Sequence, residues 1–324
     1  ADSGDFAAAA DSFIDFREEF PDSEHDAFAL YNAAHYYQEV GKAERANELF
    51  EEFVNVYPAH EWSKKLYFRI AANYESTFDL EKAVDYYGRL VRKFPDYVDA
   101  SNALYNSSFL KIGLGDHRGA AKGFEDYARM FPDVSDRENV FFRAGEQWEQ
   151  VSPNEAIKFY KKYLKEFHAN NEQFNADHTL KAMYRLGELY ADQGNERAHQ
   201  RQLDEVLAAF DDFVGQGLEM GPDARGYAAE AFFREIQAQY DLLVKDELTR
   251  DDDKDAELLN VTKPEELKEF KLLTDGVVTR FNNFEYSTAA LYLQGMSLFY
   301  YADLGLDVKP PKGLSEDDQW AYMD

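Results

Sequence analysis

The side chains in this sequence that could do chemistry are seven histidines, a run of aspartates and a cluster of glycines. The histidines are His25, His35, His60, His117, His168, His178 and His199, and no two stand four residues apart, the spacing a helical metal pair requires. Asp251, Asp253 and Asp255 have the alternate spacing of a calcium loop, but the loop glycine is Ala256 and the closing glutamate is Thr262. What remains is a carboxylate cluster that attracts cations only loosely. Gly113-Leu114-Gly115 with Gly119 is not a phosphate loop, because no strand precedes it and Gly115 occupies the same turn position as Gly41 and Gly194. No Gly-x-Ser-x-Gly occurs. There is no cysteine, which excludes disulfides, thiolate metal sites and thiol catalysis. Asn106-Ser107-Ser108 and Asn260-Val261-Thr262 spell glycosylation sequons, but the first falls inside a predicted helix and neither carries weight. The residues predict no catalytic group, no metal and no cofactor.

The elements have a plain order of their own. An aromatic followed by proline recurs as Phe20-Pro21, Tyr57-Pro58, Phe94-Pro95 and Phe131-Pro132, the prolines 37 residues apart. A fifth copy keeps Phe167 but has His168 in place of proline. Upstream stand Ala9/Phe13/Phe16, Ala46/Phe50/Phe53, Ala83/Tyr87/Leu90, Ala120/Phe124/Tyr127 and Ala156/Tyr160/Tyr163. Steps of four and three define one face of a helix. Proline ends each copy, since it has no N–H and disfavours helix in the residue before it. A fixed period of this length marks a repeat array.

Residues 1–21 hold only the second helix of a unit, so its partner is expected upstream in a longer protein. Residues 22–58 form a whole unit, with helices predicted over 26–40 and 43–56 and a turn at Gly41. Further units are expected at 59–95, 96–132 and 133–168. A fifth, at 169–217, has a first helix through Met183, Leu186, Gly187 and Tyr190 and an overlong second helix. Residues 222–305 read as an irregular helical extension: helices at 224–246, 265–280 and 286–304, the last with the pattern of another first helix at Leu291, Tyr292 and Gly295, the acidic stretch 246–257 as a solvated loop and Thr262 as a helix start. Residues 306–324 read as a linker, then a cap at Ser315 with Asp318 that opens a further helix.

Within each unit the order is apolar, small, Tyr, turn, Ala, aromatic, apolar, Pro. It resembles the tetratricopeptide repeat, a helix–turn–helix motif of 34 residues. The resemblance is clearest at Leu30/Ala33/Ala34/Tyr37 with Ala46/Phe50, and at Tyr67/Ile70/Ala71/Tyr74 with Ala83/Tyr87. The third and fourth units depart at the motif tyrosine, where Lys111 and Gln147 stand. The resemblance implies an all-α fold: a right-handed α-solenoid of helix pairs, ending here in irregular C-terminal helices. It also implies a non-catalytic protein–protein interaction scaffold whose first helices line a groove. The motif position pointing into that groove holds Tyr31, Phe68, Tyr105, Phe141 and Tyr184, with Tyr292 in the C-terminal extension and His35, Phe109 and Trp148 beside them. These rings either form a partner-binding stripe or pack between neighbouring first helices. Lys181 and Arg185 match the last pair of the family's carboxylate clamp, but Tyr105, Phe109 and Phe142 replace its other members, so no clamp is expected.

The net charge of −28 repels phosphate backbones and anionic lipid, so neither nucleic acid nor a membrane surface is an expected partner, and it favours a basic protein or peptide. No run of apolar residues is long enough for a transmembrane helix, and the first residues lack the marks of a signal peptide. The connectors and the tail (Pro310-Pro311-Lys312-Gly313-Leu314) resemble bacterial cell-envelope tetratricopeptide proteins of gliding-motility or outer-membrane assembly type. That narrower resemblance implies a periplasmic location and a lipid anchor outside this sequence. The alternative is a structural segment of a larger protein whose groove is closed by its own helices at 224–304 and whose active or partner-binding domain lies elsewhere.

Overall fold

A computed structural model of the chain describes residues 3–167, 172–249, 251–308 and 315. His168, the linker at 310–314 and Asp318 lie outside the described residues. All regular structure among the described residues is helical. The chain divides into two compact units, 1–159 and 160–324, and the division falls inside a helix.

The first unit runs through α1 (Ser3–Glu19), α2 (Asp26–Glu39), α3 (Ala43–Val56), α4 (Glu61–Ser76), α5 (Leu80–Lys93), α6 (Ala100–Gly113), α7 (His117–Met130), α8 (Arg137–Val151) and the start of α9 (Pro153–Phe167). Each helix packs on the next from α1 to α8. Small residues set the distance: Ala33, Ala34, Ala46, Ala71, Ala83 and Ala120 are fully buried. Phe50, Phe53, Tyr87, Leu90 and Phe124 fill the space that these close approaches leave on either side. The second helices stop where the prolines require, with Tyr57, Phe94 and Phe131 as the terminal residues outside the helix. Three of the turns within pairs use a left-handed glycine: Gly41 (φ 78°), Gly115 (φ 74°) and, in the second unit, Gly194 (φ 71°). After Gly115 and Gly194 the next residue caps the second helix: Asp116 accepts from the Gly119 N–H at 2.8 Å and Asn195 from the Ala198 N–H at 3.2 Å.

One turn breaks that rule. Phe78 holds the left-handed position (φ 61°) between α4 and α5, with its ring 85% exposed. A side chain there costs about 1–2 kcal/mol in backbone strain.

The fourth pair corrects the sequence register. Its repeat is one residue short, and the missing residue falls in the α8–α9 connection: Ser152 is extended and Pro153 begins α9 at once. Helix α8 itself keeps the 37-residue spacing. Val140, Phe141, Ala144 and Gly145 are buried in step with Leu66, Tyr67, Ile70 and Ala71 of α4, two repeats earlier. The motif tyrosine of this unit is therefore replaced by Trp148, not Gln147.

The second unit contains the rest of α9, α10 (Ala176–Asp192), α11 (Glu196–Gly215), α12 (Pro222–Leu243), α13 (Asp252–Glu257), a π-helical turn (Leu258–Thr262), α14 (Lys263–Phe281) and α15 (Phe284–Leu306). Helix α12 packs on α10 and α11, α14 on α12, and α15 on both α12 and α14. The order first helix, second helix, first helix thus continues through residues expected to be irregular, with a long insertion between α12 and α14. The acidic stretch is not wholly a loop, and Thr262 does not start a helix: its backbone is already helical and its side chain caps nothing. The insertion is pinned by Lys263, which is fully buried. Its ammonium donates to the Leu243 carbonyl at 2.6 Å, pairs with Asp246 at 2.6 Å and Glu266 at 2.8 Å, and lies under the Tyr300 ring. Burial opposes its charge, but the two carboxylates outweigh that and raise its pKa.

Replacing Phe78 with Gly is expected to raise stability by about 0.5–1 kcal/mol, the relieved strain less the added freedom of the unfolded chain, and Gly115→Phe to lower it by about 1 kcal/mol. Urea denaturation of both variants measures this. Gly123 of α7 lies close against α6: a Cβ there would lie 2.0 Å from Ser108 Oγ and 2.9 Å from its Cβ. Gly123→Ala is expected to destabilise by about 1–3 kcal/mol despite its better helix propensity, read from the same denaturation curves.

Candidate functional site

The first helices of the first unit present the expected aromatic stripe, but only in part. Tyr31, Phe68 and Tyr105 are each half-buried, one ring per helix on α2, α4 and α6. Tyr31 lies 4.5 Å from the Trp62 ring and also meets Phe50 and Phe53. Phe68 stands edge-on to Tyr87 at 5.1 Å. Tyr105 stacks on Phe109 at 6.3 Å with the planes 9° apart, and Phe109 is half exposed. His35 follows Tyr31 by one turn and stacks on Tyr36. Its Nδ1 is 3.7 Å from Glu39, beyond hydrogen-bond reach.

Three expected members are closed. Phe141 is 2% exposed and packs on Phe159 of α9 at 4.9 Å. In the corrected register it stands with Leu30 and Tyr67, which face the second helix. The residue in step with Tyr31, Phe68 and Tyr105 is Phe142, and it too is buried. Trp148 is a core residue: its indole N–H donates to Glu125 at 2.8 Å, and Arg118 covers its ring. Tyr184, in the second unit, is buried because α12 follows α10 as the next first helix and stacks Tyr227 on it at 4.9 Å. The exposed Tyr292 lies on α15 and is not part of this stripe.

Two members escaped the sequence reading. Arg69 stands over Phe50 at 5.4 Å, and Arg143 over Tyr105 at 5.8 Å. They are in step with each other one position after the ring residue, where Asn32 and Asn106 stand in the other units. The signal was their spacing of two repeats. The stripe therefore carries guanidinium donors beside its rings. Cations over ring faces gain about 0.5–2 kcal/mol and hold both partners in place.

Behind the rings, tyrosine hydroxyls bind carboxylates of the neighbouring helix. Tyr37 donates to Asp11, Tyr57 to Asp26 and Tyr74 to Glu51. Tyr87 donates to Glu75 at 2.9 Å, and Tyr127 to Asp136 at 2.8 Å. Trp148 and Glu125 repeat the Tyr74–Glu51 pair two units on. Burial and then the Asp26 carboxylate push the Tyr57 hydroxyl up to about 12. Burial raises Tyr74, Tyr87 and Tyr127 as well. Burial alone would raise Asp26, but Arg17 and Tyr57 outweigh it and lower its pKa. In the second unit, Arg234 on α12 pairs with Glu188 at 3.0 Å and Glu230 at 3.1 Å and donates to His199 Nε2 at 2.9 Å. Since Nε2 accepts, Nδ1 carries the proton and donates to the Gly187 carbonyl at 2.9 Å. This network joins α10, α11 and α12.

The remaining candidates fall to local roles. Asp251 caps the Lys254 N–H, and Asp255 accepts from the Thr249 backbone and hydroxyl. No group of metal-ligating side chains occurs among the described residues. Lys181 and Arg185 are half-buried on α10. Among the described residues no helix is long and apolar enough to cross a membrane.

The fold and stripe define an all-α repeat array with ring-bearing first helices. The sequence model of the tetratricopeptide repeat family matches residues 65–97, which is the α4–α5 pair. This pair is similar to a tetratricopeptide repeat, and the α2–α3 and α6–α7 pairs share its helix order and left-handed turn. No curated protein matches the chain significantly. Solved structures similar to it include a tetratricopeptide repeat protein from Parabacteroides merdae, 14% identical with a TM-score of 0.36 over 90% of this chain and 93% of that one. Others are the MamA protein (20% identity, TM-score 0.35, 50% of this chain, 82% of that one) and YrrB, described as having an unusual peptide-binding site (16%, 0.35, 63% and 95%). At such scores the overlays carry no weight for shape or function.

The tyrosine pairs fix the response to pH. Tyrosines raised above about 10 contribute fully below that pH and lose the contribution as pH rises through their folded values. The lowered Asp26 works the other way: its contribution is present above about pH 4 and is lost as pH falls. The urea midpoint is expected to fall above about pH 10 together with delayed phenolate absorbance, and Tyr57→Phe is expected to lose part of that delayed absorbance.

Proposed function

We propose that the chain is a non-catalytic protein–protein interaction scaffold that takes a peptide segment of a partner along the first helices of residues 22–132. The observation that carries this is the repetition of Tyr31, Phe68 and Tyr105 in one register, each keeping part of its ring open to solvent. Phe109 and His35 widen the stripe, and Arg69 and Arg143 add donors. Rings and arginine are the side chains that contribute most at interfaces, because they combine large contact area with little entropy loss. A segment with apolar side chains facing the rings and carbonyl or carboxylate oxygens facing the arginines fits this surface best. The periplasm of a bacterial envelope, in a motility or outer-membrane assembly complex, is the proposed setting. What supports it is the connector style and a cysteine-free sequence that suits an oxidising compartment.

Selection of a random peptide library on the immobilised chain, followed by titration, tests the site. Enriched peptides are expected to carry aromatic or aliphatic residues and to bind the variant Tyr105→Ala/Phe109→Ala at least about tenfold more weakly. Equal binding by this variant and by Tyr31→Ala/Phe68→Ala, both folded by circular dichroism, would overturn the assignment.

A further inference from the structure

A cavity of about 320 Å³ opens within the second unit, lined by α9, α10 and α11. It lies where two residues depart from the repeat. In the preceding pairs the position of Gln202 holds Leu49, Tyr86, Gly123 and Phe159, all buried. Here an amide stands in that place, only 6% exposed. Its Nε2 donates to Glu205, and its Oε1 is buried with no donor among the described residues. Helix α10 closes on it at Gly187, where a Cβ would lie 3.1 Å from the Gln202 Cβ. A buried acceptor without a donor is costly, so a molecule that brings one gains on entering.

The second departure is Lys161 of α9. Its counterparts Glu51 and Glu125 accept from Tyr74 and Trp148 of the following first helix. Lys161 instead lies over the Tyr190 ring, 5.4 Å from its centre. The Tyr190 hydroxyl therefore loses that acceptor. Arg201 of α11 lines the same cavity. Among the described residues neither Lys161 nor Arg201 is in an ion pair, on a chain of net charge −28. Leu164 and Leu186 supply an apolar wall.

The cavity thus offers two cations and a phenol to an anion. It offers an orphaned carbonyl oxygen and the Glu205 carboxylate to a cationic donor, and leucines to an aliphatic chain. Its volume falls at the small end of ligand pockets, about 300–1,000 Å³. We propose that it binds a free α-amino acid with an aliphatic side chain. The carboxylate meets Lys161, Arg201 and the Tyr190 hydroxyl, and the ammonium meets Gln202 Oε1 and Glu205. Charge-assisted hydrogen bonds are the strong ones, and a partly enclosed site screens them less than open water. The site shares no residue with the ring stripe and does not rest on the scaffold reading.

Titration of the full chain with L-leucine, followed through the NMR signals of the ligand, tests this. Saturable binding is expected, with leucinamide and 4-methylpentanoate at least about tenfold weaker. The first lacks the carboxylate and the second the ammonium. Lys161→Gln and Arg201→Gln should each weaken leucine about tenfold or more. Both side chains are exposed, so the thermal midpoint should stay in place. Gln202→Met keeps the length of the side chain and removes the acceptor, so it should lose most of the preference for leucine over 4-methylpentanoate. Absence of saturable leucine binding overturns the proposal, as does an unchanged preference in Gln202→Met. Equal binding of N-acetyl-leucine overturns it in favour of the C-terminus of a peptide.

Discussion

How closely two helices can approach decides the rest of this molecule. Buried alanines at matched positions of the first and second helices let the pairs approach closely, and at Gly123 against Ser108 even one methyl group would be too much. Close approach leaves wide wedges beside the contact line, and large rings, with leucines among them, fill them. That is why a chain so rich in phenylalanine and tyrosine packs around alanine. In most pairs a proline ends the second helix and a left-handed residue makes the turn, so successive pairs meet similar surfaces.

The tyrosines complete this arrangement because a ring deep in a wedge carries a hydroxyl that needs an acceptor. Carboxylates on the neighbouring helix supply it, and part of the chain's acidity is spent in this way rather than on solubility. Where tyrosine is replaced, as by Trp148, the indole N–H reaches the equivalent glutamate, so the requirement for a donor at that point outlasts the identity of the ring.

Much of this was legible in the sequence. The bounds of α2 and α3, the role of the prolines and the helix-pair architecture follow from spacing alone. The site was legible only in part, for definite reasons. Phe141 and Phe142 are adjacent and both aromatic, so the pattern could not say which was in register. Counting back from the short repeat placed the missing residue in the helix rather than in the connection after it. Tyr184 looked open because α12 was not recognised as the next first helix, its partner being displaced by an insertion. Arg69 and Arg143 escaped because a charge on a helix surface looks ordinary until a ring is seen beneath it.

That insertion has a consequence for how such arrays lengthen. Between α12 and α14 the usual short turn has given way to a segment with a helix and a π-helical turn of its own, yet the pair still stacks. The geometry is held by Lys263 beneath Tyr300, not by the length of the connection. Closing a longer loop costs little, since the entropy grows only with the logarithm of its length. The segment between Asp246 and Lys263 is therefore a place where foreign sequence can be grafted, a port through which a new module could be added while the helices on either side remain in register.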